Sequence, residues 1–469
     1  MPIVLQNING QADSKFSGIA GSVAESVGLD LHSTPGLTKV RQALTKSSGS
    51  TVDRLPKIAI SASNGYSFWF SDSTGKIWAR TSGGTWSLAH TTTPAAGTAF
   101  CLGAAEYNGY IYWATQSRLH RIAIANADGS WASEAEDWAT FEVTDTDWHP
   151  MAKQDLSLFI GDGNQVASVN ENGTFNGNAL DIKTPLRIKA MIPFEIDVLI
   201  GTYVADTVNR TEVIRWDGVS PTWNTSDPIE EVGINAFIRD DNYVYANAGK
   251  LGNIYFYNGE QLLPYKKIPG DYSGTNTVEL YPHSTANFKG VPIYGLSDVF
   301  GAGAKHGVYS LGSYSRDYPK VMDLSWVISP DKVSGDLEIG AILVLGNYLT
   351  VAWRDASTYG VDVISYNAKY ASAYFETRML FQDQRDILKT LGEVSAFYDS
   401  LPANCGFTIS YKINNGSYIA MTDVDDTKLN AIRAELSVNE IGSLQIKVAF
   451  NVSGNNAPTM EALGVYLRE

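Results

Sequence analysis

Along most of this chain, short apolar runs alternate with polar positions and are punctuated by Gly, Asn and Asp. The clearest run is Asn108-Gly109-Tyr110-Ile111-Tyr112-Trp113-Ala114, a Gly turn entering a β-branched and aromatic strand. It recurs as Asn64-Gly65-Tyr66-Ser67-Phe68-Trp69-Phe70, as Asp241-Asn242-Tyr243-Val244-Tyr245-Ala246 and as Gly346-Asn347-Tyr348-Leu349-Thr350-Val351-Ala352-Trp353. Fainter copies are Leu156-Ser157-Leu158-Phe159-Ile160, Val198-Leu199-Ile200-Gly201 and Val291-Pro292-Ile293-Tyr294-Gly295. Measured from Tyr66, Tyr110, Leu156, Val198, Tyr243, Val291 and Tyr348, the steps are 44, 46, 42, 45, 48 and 57 residues. A period near ~45 residues built of short strands marks propeller blades. A second strand follows each mark, as in Gly75-Lys76-Ile77-Trp78-Ala79-Arg80, and a third often carries Trp, at Trp86, Trp131 and Trp223. The pattern predicts an all-β chain: a β-propeller of about seven blades over residues 51–381, with six or eight blades if the longer steps hide an insertion.

The flanks break this rhythm. Residues 1–50 are rich in Gly, Ser and Ala, and read as an N-terminal arm or closing strand. Phe16, Ile19, Val23 and Val27 are spaced by three, four and four, which fits one side of a short helix that orders against a partner. Gly18, Gly21 and Ser22 weaken that helix. Leu37-Thr38-Lys39-Val40-Arg41, after a Pro35-Gly36 turn, is placed to complete the last blade by pairing the first and last segments of a ring. Beyond residue 382 the alternation returns in Phe407-Thr408-Ile409-Ser410-Tyr411-Lys412-Ile413, the Asn414-Asn415-Gly416 turn and Leu444-Gln445-Ile446-Lys447-Val448-Ala449-Phe450. Residues 382–469 therefore read as a C-terminal β-sandwich.

Composition narrows the function. A hydrophobic fraction of 44% supports a packed core, and no apolar run reaches the ~20 residues a membrane-spanning helix needs. Neither a basic nor a long apolar segment opens the chain, so no secretory signal is expected, and Cys101 and Cys405 read as thiols. The net charge of −15 argues against gripping nucleic acid through a basic surface, yet suits a ring whose acidic lumen lets DNA slide.

Catalytic and metal motifs are sparse. His32, His90, His120, His149, His283 and His306 show no metal-binding spacing. Gly301-Ala302-Gly303-Ala304-Lys305-His306-Gly307 leads into a strand, where a dinucleotide loop must open a helix. Asp423-Val424-Asp425-Asp426 and Val143-Thr144-Asp145-Thr146-Asp147 lack the Gly and distal Glu of a helix-loop-helix calcium loop. Ser71-Asp72-Ser73-Thr74-Gly75-Lys76-Ile77-Trp78 resembles a sialidase Asp-box hairpin with Ser73 in the Asp position. The expectation is no enzyme, no cofactor and no metal. A carbohydrate-binding or glycoside-hydrolysing propeller that recognises a receptor is the alternative, which requires clustered aromatics or paired acids.

Three stretches resemble the β-propeller tail and neck proteins of double-stranded DNA bacteriophages, of the tail-nozzle or packaged-DNA stabilisation type. They are the opening Met1-Pro2-Ile3 with Ser33-Thr34-Pro35-Gly36-Leu37-Thr38-Lys39, the junction Phe375-Glu376-Thr377-Arg378-Met379-Leu380-Phe381 with Lys389-Thr390-Leu391-Gly392-Glu393-Val394, and the ending Ala457-Pro458-Thr459-Met460-Glu461-Ala462-Leu463-Gly464-Val465. The resemblance implies a structural virion component, made in the host cytoplasm and assembled as a multi-copy ring around or at the end of the DNA channel. Its implied partners are copies of itself, other tail or neck proteins and tail fibres, with genomic DNA passing through without sequence-specific binding. No membrane insertion is expected.

Overall fold

The computed structural model describes residues 2–468 apart from 7, 9–21, 35, 72, 94–100, 132–134, 144–146, 205–209, 241–242, 269–279, 298–304, 314–319, 381–388, 399 and 422–430. The protein is all-β, and its central part is a series of four-stranded antiparallel sheets. Sheet I comprises Pro56–Ser61, Ser67–Ser71, Lys76–Arg80 and Trp86–Thr91; sheet II comprises Gly103–Tyr107, Tyr110–Ala114, Arg118–Ala123 and Ala135–Thr140. Sheet III holds Met151–Gln154, Ser157–Asp162, Gln165–Asn170 and Phe175–Asp181; sheet IV holds Arg187–Phe194, Asp197–Tyr203, Thr211–Trp216 and Thr225–Ile229. Sheet V runs through Ile234–Asp240, Tyr243–Ala248, Asn253–Tyr257 and Leu262–Lys267, and sheet VI through Thr285–Phe288, Val291–Leu296, Gly307–Gly312 and Val321–Trp326. Sheet VII combines Leu337–Leu345, Tyr348–Asp355 and Thr358–Lys369 with Gln42–Lys46 from the start of the chain.

The recurrent apolar run is the second strand of each sheet, and its turn explains its sequence. Tyr107 pairs with Tyr110 across Asn108 and Gly109, both left-handed at φ 45° and 79°, the backbone a two-residue hairpin of this twist demands. Trp86, expected on a third strand, opens the fourth strand of sheet I, and Trp131 and Trp223 precede the fourth strands of sheets II and IV.

These runs are apolar throughout because both faces of each sheet are buried. Along Ser67–Ser71, Phe68 and Phe70 enter a core shared with sheet II, whereas Trp69 enters one shared with sheet VII. Successive side chains of a strand point to opposite faces, so one strand feeds two cores. Neighbouring sheets share such cores all the way round. The one formed by Ala59, Trp69, Trp78, Ala341, Ala352 and Val361 joins sheet VII back to sheet I, and the first strands of successive sheets pack in a closed circle. Trp69, Trp78, Trp113, Trp216 and Trp353 are among the largest fully buried side chains, each stabilising by about 1.5–3 kcal/mol or more through burial.

The N-terminal segment is woven into the rest. Pro2–Gln6 pairs with Ala462–Arg468, which adjoins Lys389–Phe397 and Ala431–Ile441 in one sheet. Val23–Val27 lies between Val321–Trp326 of sheet VI and Tyr374–Thr377, beyond which come Leu444–Asn451, Gly406–Ile413 and Ile419–Ala420 in that order. Sheet VI and the second C-terminal sheet are thus one nine-stranded sheet. Leu391, Val394, Leu463 and Val465 of one C-terminal sheet share a core with Phe375, Phe407, Ile446 and Phe450 of the other.

This corrects the expected helix over the arm. Val23 and Val27 sit in a β-strand, each 1% exposed, and are covered by their own chain. Phe16 and Ile19 lie outside the described residues. An i, i+4 pair shares a face in a strand as well as in a helix, so the spacing could not separate the two. Here a register shift between Val23 and Glu25 also turns the strand over: Val23 enters the C-terminal core and Val27 the core between sheets V and VI. Residue 382, the expected boundary, lies outside the described residues, although pairing into the C-terminal sheet begins at Tyr374–Thr377.

Candidate cationic cleft

Where the N-terminal segment crosses from the C-terminal unit to sheet VII, it walls off a cavity of about 650 Å³ against sheets VI and VII. Gly28 starts this crossing in the left-handed region, at φ 69°. A Cβ there would lie 2.1 Å from a ring carbon of Tyr370, so only glycine allows the chain to pass over that ring. Arg41 then donates its backbone N–H to the Gly28 carbonyl at 2.9 Å.

Polar groups fill the floor. Nε2 of His32 pairs with the Asp323 carboxylate, which also accepts from Ser310 Oγ at 3.1 Å and Ser325 Oγ at 2.7 Å. The imidazole lies against Gly312, where a Cβ would come within 2.5 Å of the ring. Asp30 pairs with Arg41 at 3.1 Å and accepts from the Ser33 backbone and hydroxyl. Burial pushes the Asp30 carboxyl up, but the Arg41 charge and the hydrogen bonds from Ser33 and His32 outweigh it and hold it below the usual range.

Cations converge here although the whole chain is acidic. Arg41 stacks over Trp326 at 4.7 Å from the ring centre. Lys289, in the turn between the first two strands of sheet VI, lies over Phe288 and Tyr366 at 5.2 and 5.3 Å. Lys369 donates to the Val40 carbonyl at 2.9 Å; burial lowers its pKa, with Asp30 opposing and Arg41 and Lys39 adding to the effect. Lys320 pairs with Asp240. Four cationic side chains therefore line the cleft against one carboxylate, Asp30.

This arrangement supplies positive charge and hydrogen bonds. A general acid needs a raised carboxyl pKa, and Asp30 is shifted the other way. Among the described residues no group of three or more His, Cys, Asp or Glu side chains is placed to hold a metal ion. Two histidines pack on aromatic rings: His120 stacks on Trp113, and His149 on Phe141 at 4.0 Å between ring centres. Burial pushes the His149 pKa down to about 4, outweighing the carbonyls of Gly161 and Gln116 beside its ring nitrogens. Residues 423–426, 301–304, 144–146 and 72, weighed above for their chemistry, lie outside the described residues.

Of the expected site residues, neither Val23 nor Val27 reaches the cleft. The residues that do form it come from positions 30–42, 288–291, 311–326 and 364–369. Nothing local in the sequence joins them.

The molecule thus falls in the class of all-β proteins built from four-stranded sheets in a propeller-like arrangement, with a C-terminal unit attached through shared strands. No family model matches the chain, and no curated protein matches it. Among solved structures it is similar to the extracellular domain of the system BT4673 from B. thetaiotaomicron, with 14% identity and a TM-score of 0.48, over 83% of this chain and 47% of that one. The chain thus spans about half the length of that structure. It is also similar to a streptogramin B lyase, with 12% identity and a TM-score of 0.46, over 68% of this chain and 96% of that one. A chain of the mitotic checkpoint complex is similar at 10% identity and a TM-score of 0.45, over 71% of this chain and 92% of that one.

Proposed function

We propose that this chain is a structural component of a bacteriophage virion, a tail or neck protein that forms a multi-copy ring around or at the end of the DNA channel. In this reading sheets I to VII are the seven blades of one propeller, and the two C-terminal sheets form a β-sandwich. The observation that carries it is the nine-stranded sheet running from sheet VI through Val23–Val27 into the C-terminal unit. Units that must move against each other meet through small polar interfaces, whereas backbone pairing across a junction leaves no hinge. A stiff two-part body suits a component that holds its place in a particle. The net charge of −15 suits a wall past which DNA moves without sticking.

The test is mass spectrometry of purified particles with immunogold labelling of intact ones. A fixed number of copies located at the tail or neck is the expected result; absence from particles overturns the reading. A second reading, a receptor-binding protein that recognises carbohydrate, draws on the half-buried Tyr366 ring beside the cleft. A glycan array with reducing-end detection would register binding without turnover in that case.

A further inference from the structure

We propose that the cleft between sheets VI and VII is a binding site for a small oxyanion, a carboxylate or phosphate. The inference does not depend on the virion role.

The observation that carries it is charge. Arg41, Lys289, Lys320 and Lys369 face one cavity with a single carboxylate among its lining residues, on a chain with 50 acidic and 35 basic residues. Asp30 offsets Arg41 and Asp240 offsets Lys320. Among the described residues no carboxylate forms an ion pair with Lys289 or Lys369; with Asp323 beneath His32 counted beside Asp30 and Asp240, four cations face three carboxylates and one positive charge remains to be matched.

Their chemistry defines the ligand. The ammonium groups of Lys289 and Lys369 and the Arg41 guanidinium can only donate, so they call for acceptor oxygens. An oxyanion supplies acceptors and the missing negative charge together, through charge-assisted bonds. The volume of about 650 Å³ lies within the usual range for small-molecule sites.

The experiment is calorimetric titration of the full-length protein with inorganic phosphate, with glucuronate and with glucose. Saturable binding of phosphate or glucuronate is expected, and which of the two binds identifies the source of the oxyanion. Glucose, which has hydroxyls and no charge, is expected not to bind. Removing one charge, in Lys289→Gln or Arg41→Gln, should weaken the anion about tenfold. Lys289 is exposed in a turn, so Lys289→Gln should keep the wild-type melting temperature and decides the matter if Arg41→Gln fails to fold. Lys183→Gln, on an exposed lysine outside the cleft, should bind as the wild type does. The proposal is overturned if neither anion binds saturably, if glucose binds as tightly as glucuronate, or if Lys289→Gln leaves the affinity unchanged.

Discussion

Gly161, Gly201 and Gly295 occupy equivalent places near the ends of the second strands of sheets III, IV and VI, and each receives an isoleucine from the next sheet. A Cβ on Gly201 would lie 2.7 Å from Ile234 Cγ2 and 2.9 Å from Phe237; on Gly295 it would lie 2.5 Å from Ile339 Cγ2. Both contacts are with core atoms, so the added methyl has to push one sheet away from the next. Gly201→Ala should therefore destabilise by about 1–3 kcal/mol, seen as a lower urea midpoint with the slope preserved. Gly406→Ala, where no atom lies within 4 Å of the new Cβ, should stay within about 0.5 kcal/mol. The marked runs ending in Gly were legible in the sequence. The reason for those glycines was not, because the atoms they accommodate lie a whole repeat further along.

At the level of elements, the strands that repeat were readable. A closing strand from the start of the chain was expected at residues 37–41; it is Gln42–Lys46 instead, while Thr38–Val40 pairs with Leu29–Asp30 and Thr459–Met460. Each repeat buries both faces and brackets its strands with left-handed turn residues, so its signal is local. Val23–Val27 and Gln42–Lys46 are single strands whose partners lie some 300 residues away, at Tyr374–Thr377 and Thr358–Lys369. No local pattern records such a partner, and the valine spacing fitted a helix equally well. The same distance hid the cleft, since His32 and Arg41 meet Lys289, Trp326 and Lys369 only after these strands are in place. Gln42–Lys46 holds sheet VII closed through Leu44, 5% exposed among Trp353, Ile364 and their neighbours. Leu44→Ala should cost about 2–5 kcal/mol, and hydrogen exchange should quicken first in residues 42–46 and 358–369. Equal protection in mutant and wild type would show that the strand does not hold the sheet.

Across the whole molecule, shared strands couple what the sequence separates into three parts. Glu25 on the bridging strand pairs with Lys305 of the propeller-like part at 2.5 Å, and Tyr374 touches both. Lys447, from the C-terminal sheet, sits over the Tyr374 ring at 3.6 Å. The central and C-terminal parts should thus unfold together: scanning calorimetry is expected to give one transition, with near-ultraviolet and far-ultraviolet signals lost at the same temperature. Two resolved transitions would mean that the bridging strand adds little coupling.

The pairing of Gln42–Lys46 with Thr358–Lys369 also sets an order of events during synthesis. The outermost strand of sheet VII leaves the ribosome before any of the central sheets, yet its hydrogen-bonding partner emerges more than 300 residues later. Through that interval sheets I to VI can form in turn behind an unpaired leader, and only the arrival of the last hairpin lets the two ends meet. A nascent chain arrested before residue 358 should hold folded sheets and leave residues 42–46 protease-sensitive; emergence of residue 369 should protect residues 42–46, whereas Pro2–Gln6 stays exposed until Ala462–Arg468 is made.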